Sequence, residues 1–314
     1  MKAFRGAAAT ISELSRDELQ SRADSGSLEE LPGIGKVTAL VITESLSGIE
    51  PNYLRRVATL GETSVSEGAR ALRAALQGDC HVHSDWSDGG SPIKEMAEAA
   101  RDLGHSYMVL TDHSPRLTIA RGLSPERLRE QLQVVARLNE ELHPFRILTG
   151  IECDILEDGS LDQEPELLAQ LDLVVASVHS KLRMPSAEMT PRMVAAISNP
   201  HTDVLGHCTG RMVKGKGRPE SEFEADIVFA ACAQFDVAVE VNSRPERLDP
   251  PKRLLRLAIE AGCRVAIDTD AHAPGQLSWQ HLGCERAHLT GVTADRVINT
   301  WSADELLAWT GRPR

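Results

Sequence analysis

Asp79-Cys80-His81-Val82-His83-Ser84-Asp85-Trp86-Ser87-Asp88-Gly89 is the stretch on which the fold turns. His81 and His83 stand two apart, so in an extended strand both rings project from one face. Imidazole is the commonest transition-metal ligand near neutral pH, and two rings at one strand end can share an ion. Asp88 follows His83 by five residues, through a turn rich in Ser, Asp and Gly. By itself the pattern fits two histidines on a half-buried strand with a solvated turn as well as it fits a metal site.

Repetition downstream breaks the tie. Residues 107–110 lead to Thr111-Asp112-His113, residues 146–151 to Glu152, and residues 171–178 to His179. Residues 203–206 end in His207, and 263–267 lead to Asp268-Thr269-Asp270-Ala271-His272. A parallel barrel carries its chemistry at the C-terminal ends of its strands, where all of these fall. Six strand ends bearing ligand-type residues point to a metal centre. Strands are expected near 79–82, 107–111, 146–151, 171–178, 203–206, 237–241 and 264–268, with helices between them. Residues 92–103 are amphipathic, and Ser124-Pro125-Glu126 caps a helix reaching Leu142. Further helices are expected at 165–170, 191–199, 221–234, 251–261 and 294–309.

A chain of 314 residues accommodates one such barrel and a small second domain. No apolar run approaches a transmembrane length, so no membrane partner is expected. The start, Met1-Lys2-Ala3-Phe4-Arg5, has no apolar signal segment. Six scattered cysteines without a Cys-x-x-Cys fit reduced thiols, hence an expected cytoplasmic location. The net charge of −12 argues against holding long duplex by bulk electrostatics. Three of the acids, Asp88, Glu152 and Asp270, are candidate ligands. Bound divalent ions would reverse the potential around them, so an anionic substrate is compatible with the acidic total.

Residues 1–60 form a separate helical unit and 61–78 a helical linker carrying Arg70 and Arg73, leaving 79–314 for the barrel. Ser15-Arg16-Asp17-Glu18 has the form of an N-cap with an acidic first turn. Pro32-Gly33-Ile34-Gly35-Lys36 makes a tight turn between two amphipathic helices. Its backbone N–H groups can bind a DNA phosphate, with Lys36 adding a charge. Equally, its glycines can serve close packing alone.

Residues 79–300 resemble the PHP (polymerase and histidinol phosphatase) superfamily of metal-dependent phosphoesterases, most of all the PHP domain of bacterial family X DNA polymerases. The resemblance rests on His81-Val82-His83-Ser84 with Ser87-Asp88-Gly89, Thr111-Asp112-His113-Ser114, Gly150-Ile151-Glu152 and Ser177-Val178-His179-Ser180. It continues through Gly206-His207-Cys208-Thr209-Gly210-Arg211, Glu240-Val241-Asn242-Ser243 and Thr269-Asp270-Ala271-His272. Cys208 stands where the family usually has Pro. Residues 4–60 resemble part of the helix-hairpin-helix domain of the same polymerases. The polymerase palm has no counterpart, and polymerase activity is not expected.

The resemblance implies a distorted seven-stranded (β/α)7 barrel, a PHP fold, behind a small all-α domain. It implies three divalent ions (Zn, Mn or Fe, given the nitrogen-rich ligands). His81, His83, Glu152 and Asp270 would hold the first. Glu152 would bridge to a second, held also by His179 and His207, and Asp88, His113 and His272 would hold the third. Ions about 3.5–4 Å apart can share a hydroxide for in-line attack on phosphorus. Arg211, four residues after His207, is the expected phosphate-binding residue, followed by Lys181. Arg183 and Arg244 rank little above surface charges. The expected substrate is a DNA end (3′–5′ exonuclease, 3′-phosphatase or abasic-site nuclease), with Gly33, Gly35 and Lys36 binding DNA. The alternatives are a small-molecule phosphatase of the histidinol-phosphate type and a non-catalytic DNA-end adaptor.

Overall fold

A computed structural model describes residues 2–55 and 65–311. The expected boundary at residue 60 and the first residues of the linker, 61–64, lie outside them. The chain divides into two compact units, Met1–Val65 and Ser66–Arg314.

Seven strands form the second unit's sheet: β1 (Gly78–Val82), β2 (Tyr107–Leu110), β3 (Arg146–Asp154), β4 (Leu173–Ser177), β5 (Val204–Leu205), β6 (Ala238–Asn242) and β7 (Val265–Asp268). They lie in sequence order and every neighbouring pair is parallel. Parallel strands are covered on both faces, so they read as near-continuous apolar runs. β4 (LVVAS) and β7 (VAID) are buried throughout. The seam between β1 and β7 is joined by a parallel bridge, Val82 to Ala271. Two carboxylates do there what backbone carbonyls do elsewhere in the sheet. Asp268 accepts from the Cys80 N–H at 2.8 Å, and Asp79 accepts from the Thr269 N–H at 3.2 Å and its hydroxyl at 2.5 Å. Burial pushes the Asp79 carboxyl up to about 6 against those hydrogen bonds.

The helices between strands include α5 (Ile93–Asp102), α6 (Pro125–Leu142), α7 (Pro165–Leu168), α8 (Ser186–Ile197), α9 (Ala225–Phe235) and α10 (Lys252–Glu260); α4 (Glu67–Ala75) precedes β1. Two follow β7, α11 (Gln280–Leu289) and α12 (Ala303–Thr310). Two expectations are corrected and one helix is added. α8 starts before Pro191, which sits inside it and costs it one backbone hydrogen bond. The helix expected over 294–309 is two 3₁₀ turns and then α12, which starts at the Ser302–Glu305 capping box. α11 was not expected, because its buried face is Gln280, Gly283, Cys284, Arg286 and Ala287, which leaves no apolar stripe to read. No described helix is long and apolar enough to cross a membrane.

In the first unit α1 (Lys2–Ser12), α2 (Arg16–Ser25) and α3 (Lys36–Leu46) pack around Ala7, Leu28, Ile34 and Ile42. The Ser15 hydroxyl caps α2, accepting from the Glu18 N–H at 3.2 Å. The two hairpin glycines differ. Gly33 has φ +76°, and a Cβ there would lie 3.3 Å from the Gly6 carbonyl carbon. Gly35, the N-cap of α3, has φ −110° and open space beside it, and its N–H donates to the Thr38 hydroxyl at 2.9 Å. Gly33→Ser is therefore expected to destabilise this unit by about 1–2 kcal/mol, whereas Gly35→Ser should stay within about 0.5 kcal/mol. Equal losses in thermal or urea melts would contradict this account of the turn.

Candidate metal centre

The centre is built on Glu152, near the C-terminal end of β3. Its side chain is 1% exposed, and five histidines from four other strand ends aim ring nitrogens at its two oxygens. His81 Nε2 lies 3.2 Å away, His83 Nε2 3.5 Å and His113 Nδ1 2.9 Å, all from Oε2. His179 Nε2 at 3.1 Å and His207 Nε2 at 2.8 Å approach Oε1. Alternation along β1 puts His81 and His83 on one face, as their spacing requires. Asp270 closes the β7 side with Oδ1 3.5 Å from His83 Nε2. Asp88 Oδ1 lies 3.2 Å from His272 Nε2 and 3.5 Å from His113 Nε2. All nine candidate ligands are thus brought together at one end of the barrel.

The donor atoms of seven of them fall into overlapping groups: His83, Asp88, His113 and His272; His81, His83 and Glu152; His113, Glu152 and His179, with His207 and Asp270 adjoining through Glu152 and His83. Within each group the atoms lie within 4.8 Å of one another. His113 belongs to two of them, with one ring nitrogen toward Glu152 and the other toward Asp88. The residues fit divalent ions for a physical reason. Buried polar atoms normally find partners, yet His81 Nε2, both nitrogens of His83, both of His179 and Glu152 Oε2 have no properly directed hydrogen bond. Imidazole rings 4.2–5.3 Å apart cannot all carry protons toward one carboxylate. Cations among them resolve the conflict, and an imidazole-rich set suits Zn, Mn or Fe better than Mg alone.

Charge follows the same geometry. Burial pushes the His81 imidazole down, but Glu152 and Glu240 on either side leave it well above its ordinary value. Burial, with His272 and His113 next, holds His83 well below. Glu152 would be raised by burial, yet His81, His179 and His113 hold it well below the carboxylate range.

A second layer orients the rings. Glu240, fully buried in β6, accepts at 2.6 Å from His81 Nδ1 and at 2.5 Å from the His207 N–H. Asp154 accepts from the His179 N–H at 3.1 Å. Asp112 takes the Ser84 N–H, the Ser84 and Ser87 hydroxyls and the Gln131 amide, fixing the turn that delivers Asp88. Carboxylates behind ligating histidines fix the ring tautomer and raise its basicity. Sequence reasoning gave Glu240 no role. Its signal was a lone acid inside the apolar run Val237-Ala238-Val239-Glu240-Val241.

The arginines are ordered differently from the expectation. Arg211 gives Nε to the Arg247 carbonyl at 3.1 Å, Nη1 to Glu220 at 3.3 Å and Nη2 to the Leu248 carbonyl, so its guanidinium braces the loop after β6. Lys181 is exposed, with φ +53°. Arg244 and the overlooked Arg247 reach the centre instead, each 3.1 Å from an Asp270 oxygen. Burial would raise Asp270, but these two guanidiniums hold it well below its usual range. The donors bend back to Asp270 from two and five residues downstream of β6, which spacing from His207 did not reveal. His105, His143, His201, His281 and His288 stay outside the cluster. His105 is buried beside Arg73, and burial brings it down to about 4.

The PHP domain family matches residues 79–244, more than half of the chain. The chain belongs to the PHP family. It is a metal-dependent phosphoester hydrolase of that family. The chain is similar to the DNA polymerase/3'-5' exonuclease PolX of Bacillus subtilis (strain 168), 39% identical over 237 residues. That match covers 76% of this chain but 41% of the relative, so the PHP chain spans about two fifths of that protein's length. It is also similar to a probable phosphatase of Thermoanaerobacter sp. (strain X514), 29% identical over 233 residues, covering 71% of this chain and 89% of the relative. A histidinol phosphate phosphatase from Lactococcus lactis, solved with zinc, L-histidinol and phosphate, superposes with a TM-score of 0.49 at 18% identity. The superposition covers 69% of this chain and 95% of that one.

Proposed function

We propose that this PHP protein hydrolyses phosphoesters at DNA ends in repair, as a 3′–5′ exonuclease, 3′-phosphatase or abasic-site nuclease. The observation that carries the reading is the 39% identity to the Bacillus polymerase/exonuclease, against 29% to the probable phosphatase. The helical first unit, read as a helix-hairpin-helix domain, adds a phosphate contact at Gly33, Gly35 and Lys36.

In this reading His81, His83, Glu152 and Asp270 would hold one ion, Glu152, His179 and His207 a second, and Asp88, His113 and His272 a third. Divalent ions bound by these residues would supply a water of pKa lowered toward ~7 and positive charge facing the phosphoryl oxygens. The chain's own residues supply placement. Glu152 stays ionised because its histidines hold its pKa down. Glu240 keeps the His81 ring turned toward Glu152. Arg244 and Arg247 stand where a phosphate oxygen entering beside Asp270 meets guanidinium donors. Arg211 holds their loop, and Lys181 stands further out on the rim.

A small-molecule phosphatase is the second reading, favoured by the match over 89% of the probable phosphatase's length. Purified protein of known metal content decides between them on a 3′-recessed duplex, a duplex with a 3′-phosphate, and histidinol phosphate. The expected result is the highest kcat/KM on one of the DNA ends. A higher value on histidinol phosphate overturns the proposal.

A further inference from the structure

The barrel unit is acidic, yet its cations are unevenly placed. Residues 178–185, after β4, contain Lys181 and Arg183, and residues 206–219, after β5, contain Arg211, Lys214, Lys216 and Arg218, with no carboxylate in either stretch. By contrast residues 155–164, after β3, carry Glu157, Asp158, Asp162 and Glu164 and no cation. β4 and β5 are neighbours, paired Val175 to Val204 and Ala176 to Leu205. Their loops also touch, since a Cβ on Gly210 would lie 2.7 Å from the Leu182 side chain. Lys181 and Arg183 flank Leu182, so this packing sets them beside the base of the β5 loop.

That loop is a hairpin. Met212 and Arg218 exchange both backbone hydrogen bonds, at 2.9 and 2.8 Å. Gly215 at φ +71° and Gly217 at φ +68° make the turn. The base is braced twice, by the Val213 N–H on the Glu246 carbonyl at 2.6 Å and by the Arg218 side chain on the Gly210 carbonyl. Arg211 and Arg218 are thus used internally. Lys181, Arg183, Lys214 and Lys216 are all exposed, and among the described residues their charged side-chain ends have no carboxylate or hydrogen-bond partner, the bonds at Lys181 and Lys214 being to their backbone carbonyls. A braced hairpin whose two lysines follow His207 by seven and nine residues is a fixed cationic surface on the loop that leaves the centre.

We propose that Lys181, Arg183, Lys214 and Lys216 form a track for the backbone of an unpaired DNA strand whose terminal phosphoester lies at the metal centre. This rests on the DNA-end reading and adds to it which side of the barrel mouth carries the strand. The glycines at the hairpin tip let a phosphate approach the backbone closely, and lysines supply point charges without reading sequence. The strand avoids the β3 side, where Glu157 and Asp158 would repel it, while Asp162 and Glu164 are paired with Arg116 and Arg129. The hairpin acts only on substrates long enough to reach it, so it sets preference for length.

The test compares the wild type with Lys214→Ser/Lys216→Ser, both metal-loaded. Substrates are a dinucleotide and a single strand of about twelve nucleotides, within the range such tracks span, over a series of salt concentrations. Melting temperature and metal content report whether the variant is folded and loaded. The expected wild type prefers the longer strand. The variant should lose roughly ten-fold of that preference at low salt, and the slope of log kcat/KM against log salt should fall by about 1.4, two contacts at ~0.7 each for single strands. A wild type that prefers the longer strand and a variant that keeps both preference and slope overturn the track and leave the DNA-end reading standing. A wild type that cleaves neither strand but hydrolyses histidinol phosphate overturns both.

Discussion

Glu152→Gln is expected to abolish turnover on every phosphoester and to strip ions from the protein. The substitution keeps the shape and removes one negative charge at the point where His81, His83, His113, His179 and His207 converge. A neutral amide binds a divalent ion far less well than a carboxylate, and its NH₂ group faces imidazole nitrogens that are aimed to accept or to ligate. Loss of one shared ligand should therefore lower kcat/KM on the order of a thousand-fold or more, about 4 kcal/mol. Glu240→Gln changes a residue that orients His81 and the His207 backbone and accepts from the Asn242 amide, without facing the ions. It should cost about 10–100-fold in metal affinity. His288→Ala, at an exposed position on α11, should change neither metal content nor rate. Elemental analysis and initial rates on one chromogenic phosphoester separate the three. A Glu152→Gln protein with full metal content and more than a tenth of the rate would move the centre elsewhere.

The ranking of those variants shows what a sequence can and cannot carry. Strand ends were legible because parallel strands are apolar runs, and a His, Asp or Glu directly after such a run stands out, as His179 and His207 do. The seven strands fall within a few residues of where the runs place them. β1 gave both the strand and the ligands, since a His-x-His can point one way only in an extended chain. Residues whose role depends on chain distant in sequence were not legible. Glu240 matters because it lies 159 positions from His81 yet 2.6 Å from its ring. Arg211 is tied to the Arg247 carbonyl by a hydrogen bond between two loops, visible only after both strands are in register. α11 hid because packing against β7 needs Gly283, where a Cβ would lie 2.7 Å from the Ile267 side chain of that strand. A small, polar buried face has no periodic signature.

Exhaustive chelation should abolish hydrolysis and lower the melting temperature of the barrel together. In the metal-free protein, six imidazoles and three carboxylates still meet at one end of the strands. His81 is held well above its ordinary value by Glu152 and Glu240 despite burial, while burial and neighbouring rings hold His83 well below. No assignment of protons satisfies both rings and Glu152, so the folded state keeps buried atoms without partners. An ion that binds the folded chain and not the unfolded one stabilises by RT ln(1 + [L]/Kd), about 4 kcal/mol at a thousand-fold excess over Kd. For a unit of this size each kcal/mol moves the midpoint by about 2–4 °C, so losing one site should lower it by roughly 10 °C. Returning Zn or Mn should restore both midpoint and activity, whereas Mg alone should restore neither fully, because imidazole nitrogen is a poor ligand for it. Chelated protein that melts unchanged and hydrolyses phosphoesters at the original rate would sink the metal centre. Loss of activity at an unchanged midpoint would leave the chemistry in place and show that the strands, closed at the seam by Asp79 and Asp268, hold the nine side chains together without help from the ions.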